Sequence, residues 1–102
     1  GMKIRKGDIV KVMKGKDRGK SAKVIKVYPV KNKILLEGLN LFKKHSRPKR
    51  QGEKGEVVLV PRPVDVSNVM FVCPACKKPS RLGYRIEKSF KSRYCKKCQT
   101  KL

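Results

Sequence analysis

The sequence has no tryptophan, three tyrosines and three phenylalanines, and its 102 residues include one histidine and seven acids. Hydrophobic residues make up 38%, below the ~45–50% apolar share of an ordinary domain, so the core is thin and stability needs support beyond side-chain burial. No stretch approaches the ~20 consecutive apolar residues of a membrane span. The longest runs are no larger than Val57-Val58-Leu59-Val60 or a residue more, which predicts a soluble protein with no membrane partner. An apolar signal region is also lacking, so the expected location is cytoplasmic. Clean helical periodicity, internal repeats and low-complexity tracts are missing, so helices should be short or absent. The acids Asp8, Asp17, Glu37, Glu53, Glu56, Asp65 and Glu87 are scattered. With no nucleophile or carboxylate pattern around His45, the sequence predicts neither an enzyme nor a small-molecule substrate.

Positive charge is what the chain has in excess. Lys and Arg number 29, giving a formal net charge of +22, the signature of a protein that binds a polyanion. Residues 1–51 carry 17 basic and 3 acidic groups, residues 52–102 carry 12 and 4, so the first half is the stronger electrostatic footprint. The length fits one domain, or one small domain with an extension.

Short β-branched runs broken by Gly, Pro and Lys predict strands at residues 8–13, 23–28 and 33–37, spaced as a meander, with another at 56–60. Residues 42–52 hold Lys43, Lys44, His45, Arg47, Lys49 and Arg50 and almost nothing to bury, which predicts a projecting loop. A further strand at 67–72 runs into the first cysteine pair, and residues 81–86 and 90–94 are expected to form a hairpin. Phe42, Tyr84 and Phe90 could stack on unpaired bases, but in so thin a core burial is the expectation.

The four cysteines fall as Cys73-x2-Cys76 and, eighteen residues on, Cys95-x2-Cys98. Two residues between thiolates let one tight knuckle present both sulfurs to one metal, and a hairpin brings two knuckles together as a tetrahedron. The alternatives are two disulfides, which suit a secreted chain, and a redox dithiol, which suits a βαβ setting. A single structural Zn(II) on Cys73, Cys76, Cys95 and Cys98 is the favoured reading. Lys77, Lys78, Arg93, Lys96 and Lys97 would then supply positive charge around the thiolates. Lys77 and Gln99, directly after each pair, occupy positions where a Gly able to take positive φ would suit the knuckle better.

In Lys14-Gly15-Lys16-Asp17-Arg18-Gly19-Lys20, glycines allow close approach of a ligand to the backbone and the interleaved cations suit phosphate oxygens. The segment Lys6-Gly7-Asp8-x-Val10-x-Val12-x-x-Gly15-Lys16-Asp17-Arg18-Gly19-Lys20, followed by Lys23-Val24, resembles the KOW motif. Glu37-Gly38-Leu39-Asn40-Leu41-x-Lys43-Lys44-His45, Ser67-Asn68-Val69, Arg81-x-Gly83-Tyr84-Arg85 and Lys91-x-Arg93-Tyr94-Cys95-Lys96 resemble the bacterial-type ribosomal protein twenty-four family of the large subunit, in its cysteine-bearing form.

The resemblance implies an all-β protein: an SH3-like small barrel over residues 3–60 with a projecting basic loop at 43–55, and a C-terminal β region, 61–102, carrying a zinc-ribbon-like site. It implies an early-binding assembly protein that contacts the first domain of large-subunit rRNA near the exit of the nascent-chain tunnel. Neighbouring ribosomal proteins are its other partners, and outside the ribosome it is expected to be monomeric. The RNA-binding residues so implied are Lys14, Lys16, Arg18 and Lys20, then Lys43, Lys44 and His45, with Arg47, Lys49 and Arg50 on the loop. Where the motif usually has Gly the chain has Ala22, which predicts an ordinary β conformation there. The competing reading is a KOW and zinc-ribbon factor associated with transcription, which would be expected to carry a polymerase-binding domain ahead of the motif.

Overall fold

A computed structural model describes residues 2–46, 52 and 55–102. Arg47, Lys49 and Arg50 lie outside the described residues. Among the described residues ten strands follow in chain order: β1 (Ile9–Val12), β2 (Ser21–Tyr28), β3 (Lys33–Leu36), β4 (Leu41–Ser46), β5 (Glu56–Pro61), β6 (Val64–Asp65), β7 (Val69–Val72), β8 (Pro79–Ser80), β9 (Leu82–Glu87) and β10 (Phe90–Cys95). Two 3-10 turns, Pro29–Lys31 and Val66–Asn68, are the only helical elements among the described residues. The protein is all-β, as its composition and short β-branched runs predict.

Six strands form one antiparallel sheet in the order β6-β3-β2-β1-β7-β8. Period-2 alternation points Val10 and Val12 of β1, Ile34 and Leu36 of β3, and Val69 and Phe71 of β7 to one side, where they are buried. Ile9, with the opposite parity, is exposed. The β2–β3 register shifts between Val24 and Lys26, and a bulge of this kind bends and twists its strand. Ala22 sits opposite Val10 in β2 with no positive φ, in the ordinary β conformation expected of it. Strands from both sides of residue 60 build this sheet, since β6 pairs with β3 and β7 with β1.

The same buried cluster takes in Ile4, Leu82 and two of the cysteines, Cys73 and Cys95, both fully buried. The region that holds the thiols is therefore part of the core and not an appendage. Two further antiparallel pairs complete the fold, the ribbon β4–β5 and the hairpin β9–β10. In the hairpin Gly83 lies opposite Tyr94, and a Cβ at Gly83 would stand 2.5 Å from the Tyr94 ring; glycine there makes room for the aromatic.

Two sequence expectations are corrected here. The stretch read as a loop from residue 42 is strand through Ser46, paired with β5 from Leu41↔Pro61 to Ser46↔Glu56. A two-stranded ribbon needs no buried face, and Glu56, Val57, Val58 and Leu59 are all exposed, so no hydrophobic alternation marks it. Phe42, Tyr84 and Phe90 do not enter the core: Phe42 and Tyr84 are half-buried under neighbouring cations, and Phe90, at the turn end of the hairpin, is exposed.

Candidate nucleic-acid interface and metal centre

The connection from β1 to β2 is a tight hairpin end. Gly19 N–H donates to the Val12 carbonyl at 2.8 Å, and Val12 N–H to the Lys20 carbonyl at 2.8 Å. Gly15 and Gly19 take φ of 92° and 89°, which a residue with a Cβ adopts only at a cost. Lys14, Lys16, Arg18 and Lys20 are exposed around this turn. Lys14 and Arg18 make no side-chain hydrogen bond or ion pair with a described residue. Lys20 Nζ lies 3.5 Å from Asp17 Oδ1. Lys16 turns toward β4, its ammonium 4.3 Å from the Phe42 ring centroid and donating to the Leu41 carbonyl at 3.3 Å.

Asp17 makes a second tie to the same place, accepting the Asn40 N–H at 2.8 Å. Asn40 is left-handed (φ 52°), and its side-chain amide donates to the Arg62 carbonyl at 2.9 Å. The Arg62 guanidinium lies 4.2 Å from the Phe42 ring centroid. These contacts anchor the root of the β4–β5 ribbon to the KOW-like turn, joining two basic clusters that are separate in sequence. Lys43, Lys44 and His45 are exposed on β4, and strand alternation places Lys43 and His45 on one face and Lys44 on the other.

The four cysteines converge. Their sulfurs all lie within 4.8 Å of one another, with Cys73 Sγ to Cys98 Sγ at 3.7 Å and Cys76 Sγ to Cys95 Sγ at 4.0 Å. None is joined in a disulfide. A tetrahedron with metal–sulfur bonds of about 2.3 Å has edges of about 3.8 Å, so the donor set fits one metal ion. Each knuckle also turns an amide to its first sulfur: Cys76 N–H to Cys73 Sγ and Cys98 N–H to Cys95 Sγ, both at 3.5 Å. Ser80 Oγ lies 3.2 Å from Cys95 Sγ, and Thr100 Oγ1 3.2 Å from Cys98 Sγ. Burial pushes the Cys73 thiol up to about 11. At Cys95 burial also acts upward, but the Ser80 hydroxyl and the amides of Cys98 and Lys97 outweigh it and hold the thiol down to about 6. Thr100, through hydroxyl and amide, lowers Cys98.

Arg93, assigned by its position in sequence to the surroundings of the thiolates, has a different partner. Its Nη1 donates to Asp8 Oδ2 at 2.6 Å and to the Lys3 carbonyl at 3.1 Å, and its Nη2 to Asp8 Oδ1 at 3.0 Å. Arg5 N–H also donates to Asp8 Oδ2, at 2.7 Å. The two side chains are only 10% and 11% exposed, so this is a buried ion pair between the KOW-like segment and the strand that ends at Cys95.

Comparison with known proteins agrees with this arrangement. The KOW motif model matches residues 6–37, and the model described as "Large ribosomal subunit protein uL24, C-terminal domain" matches residues 39–102. Proteins named large ribosomal subunit protein uL24 are similar over nearly the full length. That of Thermotoga maritima is 49% identical over 98 residues, 95% of this chain and 93% of the relative. That of Desulforudis audaxviator is 49% identical over 98 residues, covering 95% and 92%. That of Syntrophotalea carbinolica is 44% identical over 102 residues, covering 99% and 94%. The chain belongs to the uL24 family.

As a member of the uL24 family it is a large-subunit ribosomal protein and not an enzyme. The transcription-factor alternative has no counterpart among these relatives. Sequence reasoning missed three residues that organise the uL24 fold here: Asp17, Asp8 and Arg62. An acid in the middle of a basic loop was the available signal for Asp17, since it has no reason to face a polyanion. Asp8 is visible in sequence only as part of the KOW-like segment, and nothing local points to Arg93, its partner 85 positions away.

The concern over Lys77 and Gln99 has a structural counterpart: their φ values are 62° and 68°. Each N–H donates back to the carbonyl of the first cysteine of its pair, at 2.8 Å for Lys77 and 2.7 Å for Gln99. A residue with a Cβ held left-handed costs roughly 1–2 kcal/mol. Lys77→Gly is therefore expected to raise the melting temperature by several degrees in a thermal scan. Gln99→Gly should gain less, because the Gln99 side chain also accepts from Arg85 at 2.6 Å and donates to the Lys96 carbonyl at 3.0 Å.

Proposed function

We propose that this protein is a structural constituent of the large ribosomal subunit that binds the first domain of large-subunit rRNA early in assembly, near the nascent-chain tunnel exit. The observation that carries the RNA reading is the turn at residues 14–20, where exposed cations flank two left-handed glycines and Asp17 and Lys16 tether the turn to the basic ribbon. Phosphate contacts by Lys14, Lys16, Arg18 and Lys20, extended by Lys43, Lys44 and His45, supply most of the affinity, and base reading is secondary. Arg47, Lys49 and Arg50 belong to the same interface in this reading. Residues 3–60 carry the main rRNA contacts and residues 61–102 the metal, with the neighbouring large-subunit proteins as further partners.

Cosedimentation with large subunits on a gradient, before and after a high-salt wash, tests the assignment. Stoichiometric retention at low salt is the expected result, with binding that falls steeply as salt rises. Absence from the subunits would overturn it.

The metal in this reading is Zn(II), one per chain, on Cys73, Cys76, Cys95 and Cys98. Four protein ligands close the shell, so its part is to staple a thin core. Elemental analysis is expected to find one zinc per chain, and a folded, metal-free protein with four free thiols would refute it. On chelation, amide exchange should speed up in β9 and β10 before β1–β3.

A further inference from the structure

We infer that Phe90, at the turn end of the β9–β10 hairpin, is a stacking platform for an unpaired nucleobase, a second RNA contact apart from the KOW-like turn and the ribbon. The inference rests on the rRNA-binding reading above. Phe90 is 52% exposed, and Ile86, on the neighbouring strand, is 81% exposed. Both sit at the turn end of the hairpin, beyond the stretch where Leu82, Ser92 and Arg93 are buried, so the fold itself gives neither side chain a reason to be apolar. The register sets Phe90 opposite Glu87 and Lys91 opposite Ile86, and the left-handed Lys88 turns the chain between them.

The surroundings say what chemistry suits this ring. Residues 77–102 carry ten Lys or Arg and one acid, Glu87. That acid is taken up by Lys101, whose ammonium donates to Glu87 Oε2 at 2.9 Å and stands 5.3 Å from the Phe90 ring centroid. Lys88 and Lys91 are exposed beside it, and Lys91 Nζ lies 4.7 Å from the Tyr84 ring centroid. A protein partner with an apolar face would have to bury these ammonium groups. A single-stranded RNA offers a π-face for the ring and phosphates for Lys88 and Lys91, which is the combination of stacking and backbone neutralisation that such strands use. Phe90 is not sequence-reading in this role, because every base presents a face.

The test uses the full chain and transcribed large-subunit rRNA. Phe90→Ala is expected to lower affinity about tenfold, in the range that loss of one base–aromatic stack gives, while leaving the salt dependence unchanged. Phe90→Trp should keep the affinity. Because the chain has no tryptophan, the introduced indole is a clean reporter, and its fluorescence should be quenched saturably by the RNA. Unchanged affinity of Phe90→Ala together with an unquenched indole in the RNA complex would overturn the inference and leave the KOW-turn reading intact. If the same indole responds only to neighbouring ribosomal proteins, the inference also fails. If the parent protein does not bind rRNA at all, both readings fall.

Discussion

Asp8→Ala is expected to lower the melting temperature by roughly 12–40 °C, the largest effect of any single replacement on the stability of this fold. Removing one member of a buried ion pair leaves the other charge without compensation, at about 3–5 kcal/mol, and for a chain of about this size each kcal/mol moves the midpoint by roughly 4–8 °C. Here the stranded group would be Arg93, whose Nη1 and Nη2 both point at Asp8. Its Nε has no partner among the described residues, and the Lys3 carbonyl is its one other acceptor. The double replacement Asp8→Leu with Arg93→Met removes both charges and is expected to recover most of the loss. A thermal scan of the three proteins checks this, and an Asp8→Ala protein melting within a few degrees of the parent would show that the pair is not structural.

Replacing Lys14 and Arg18 together by Glu is expected to weaken rRNA binding on the order of a hundredfold or more at physiological salt, with no loss of fold. It should also flatten the plot of log affinity against log salt by about two phosphate contacts' worth. These two are chosen because their side chains are uncommitted among the described residues, whereas Lys16 holds Phe42 and the Leu41 carbonyl and Lys20 faces Asp17. Filter binding across a salt series, with circular dichroism as the control for folding, reads both quantities. Unchanged affinity would remove this turn from the interface.

How much of this could be read beforehand depended on whether the determining signal is local. The β1 and β3 runs were legible because residues of one parity are buried in each, and β2 because its β-branched residues lie between turn signals. The thiol cluster was legible because two-residue spacing fixes knuckle geometry, down to the left-handed residues after each pair. The β4–β5 ribbon was not, since neither of its faces is covered and its cations and valines show no burial rhythm. The three aromatics were misplaced because ring size argues for burial in the core, whereas Phe42 and Tyr84 lie half-buried under cations and Phe90 at an exposed hairpin end. Asp8 with Arg93 and β1 with β7 depend on residues far apart in the chain, and no window along the sequence contains either pair.

The β1–β7 pairing, Val10 against Phe71 and Val12 against Val69, also sets an order of events during synthesis. Synthesis delivers β1 and β2 well before β7, and β1 can acquire β2 early because a short turn joins them. Its other edge waits until residue 72 is available, and closing so long a loop is slow relative to forming a hairpin. Throughout that interval β1 presents a row of unpaired N–H and C=O groups, the kind of open edge that recruits other strands. A nascent chain stalled after residue 68 would therefore be the aggregation-prone species of this protein, with β1 as the sticky element.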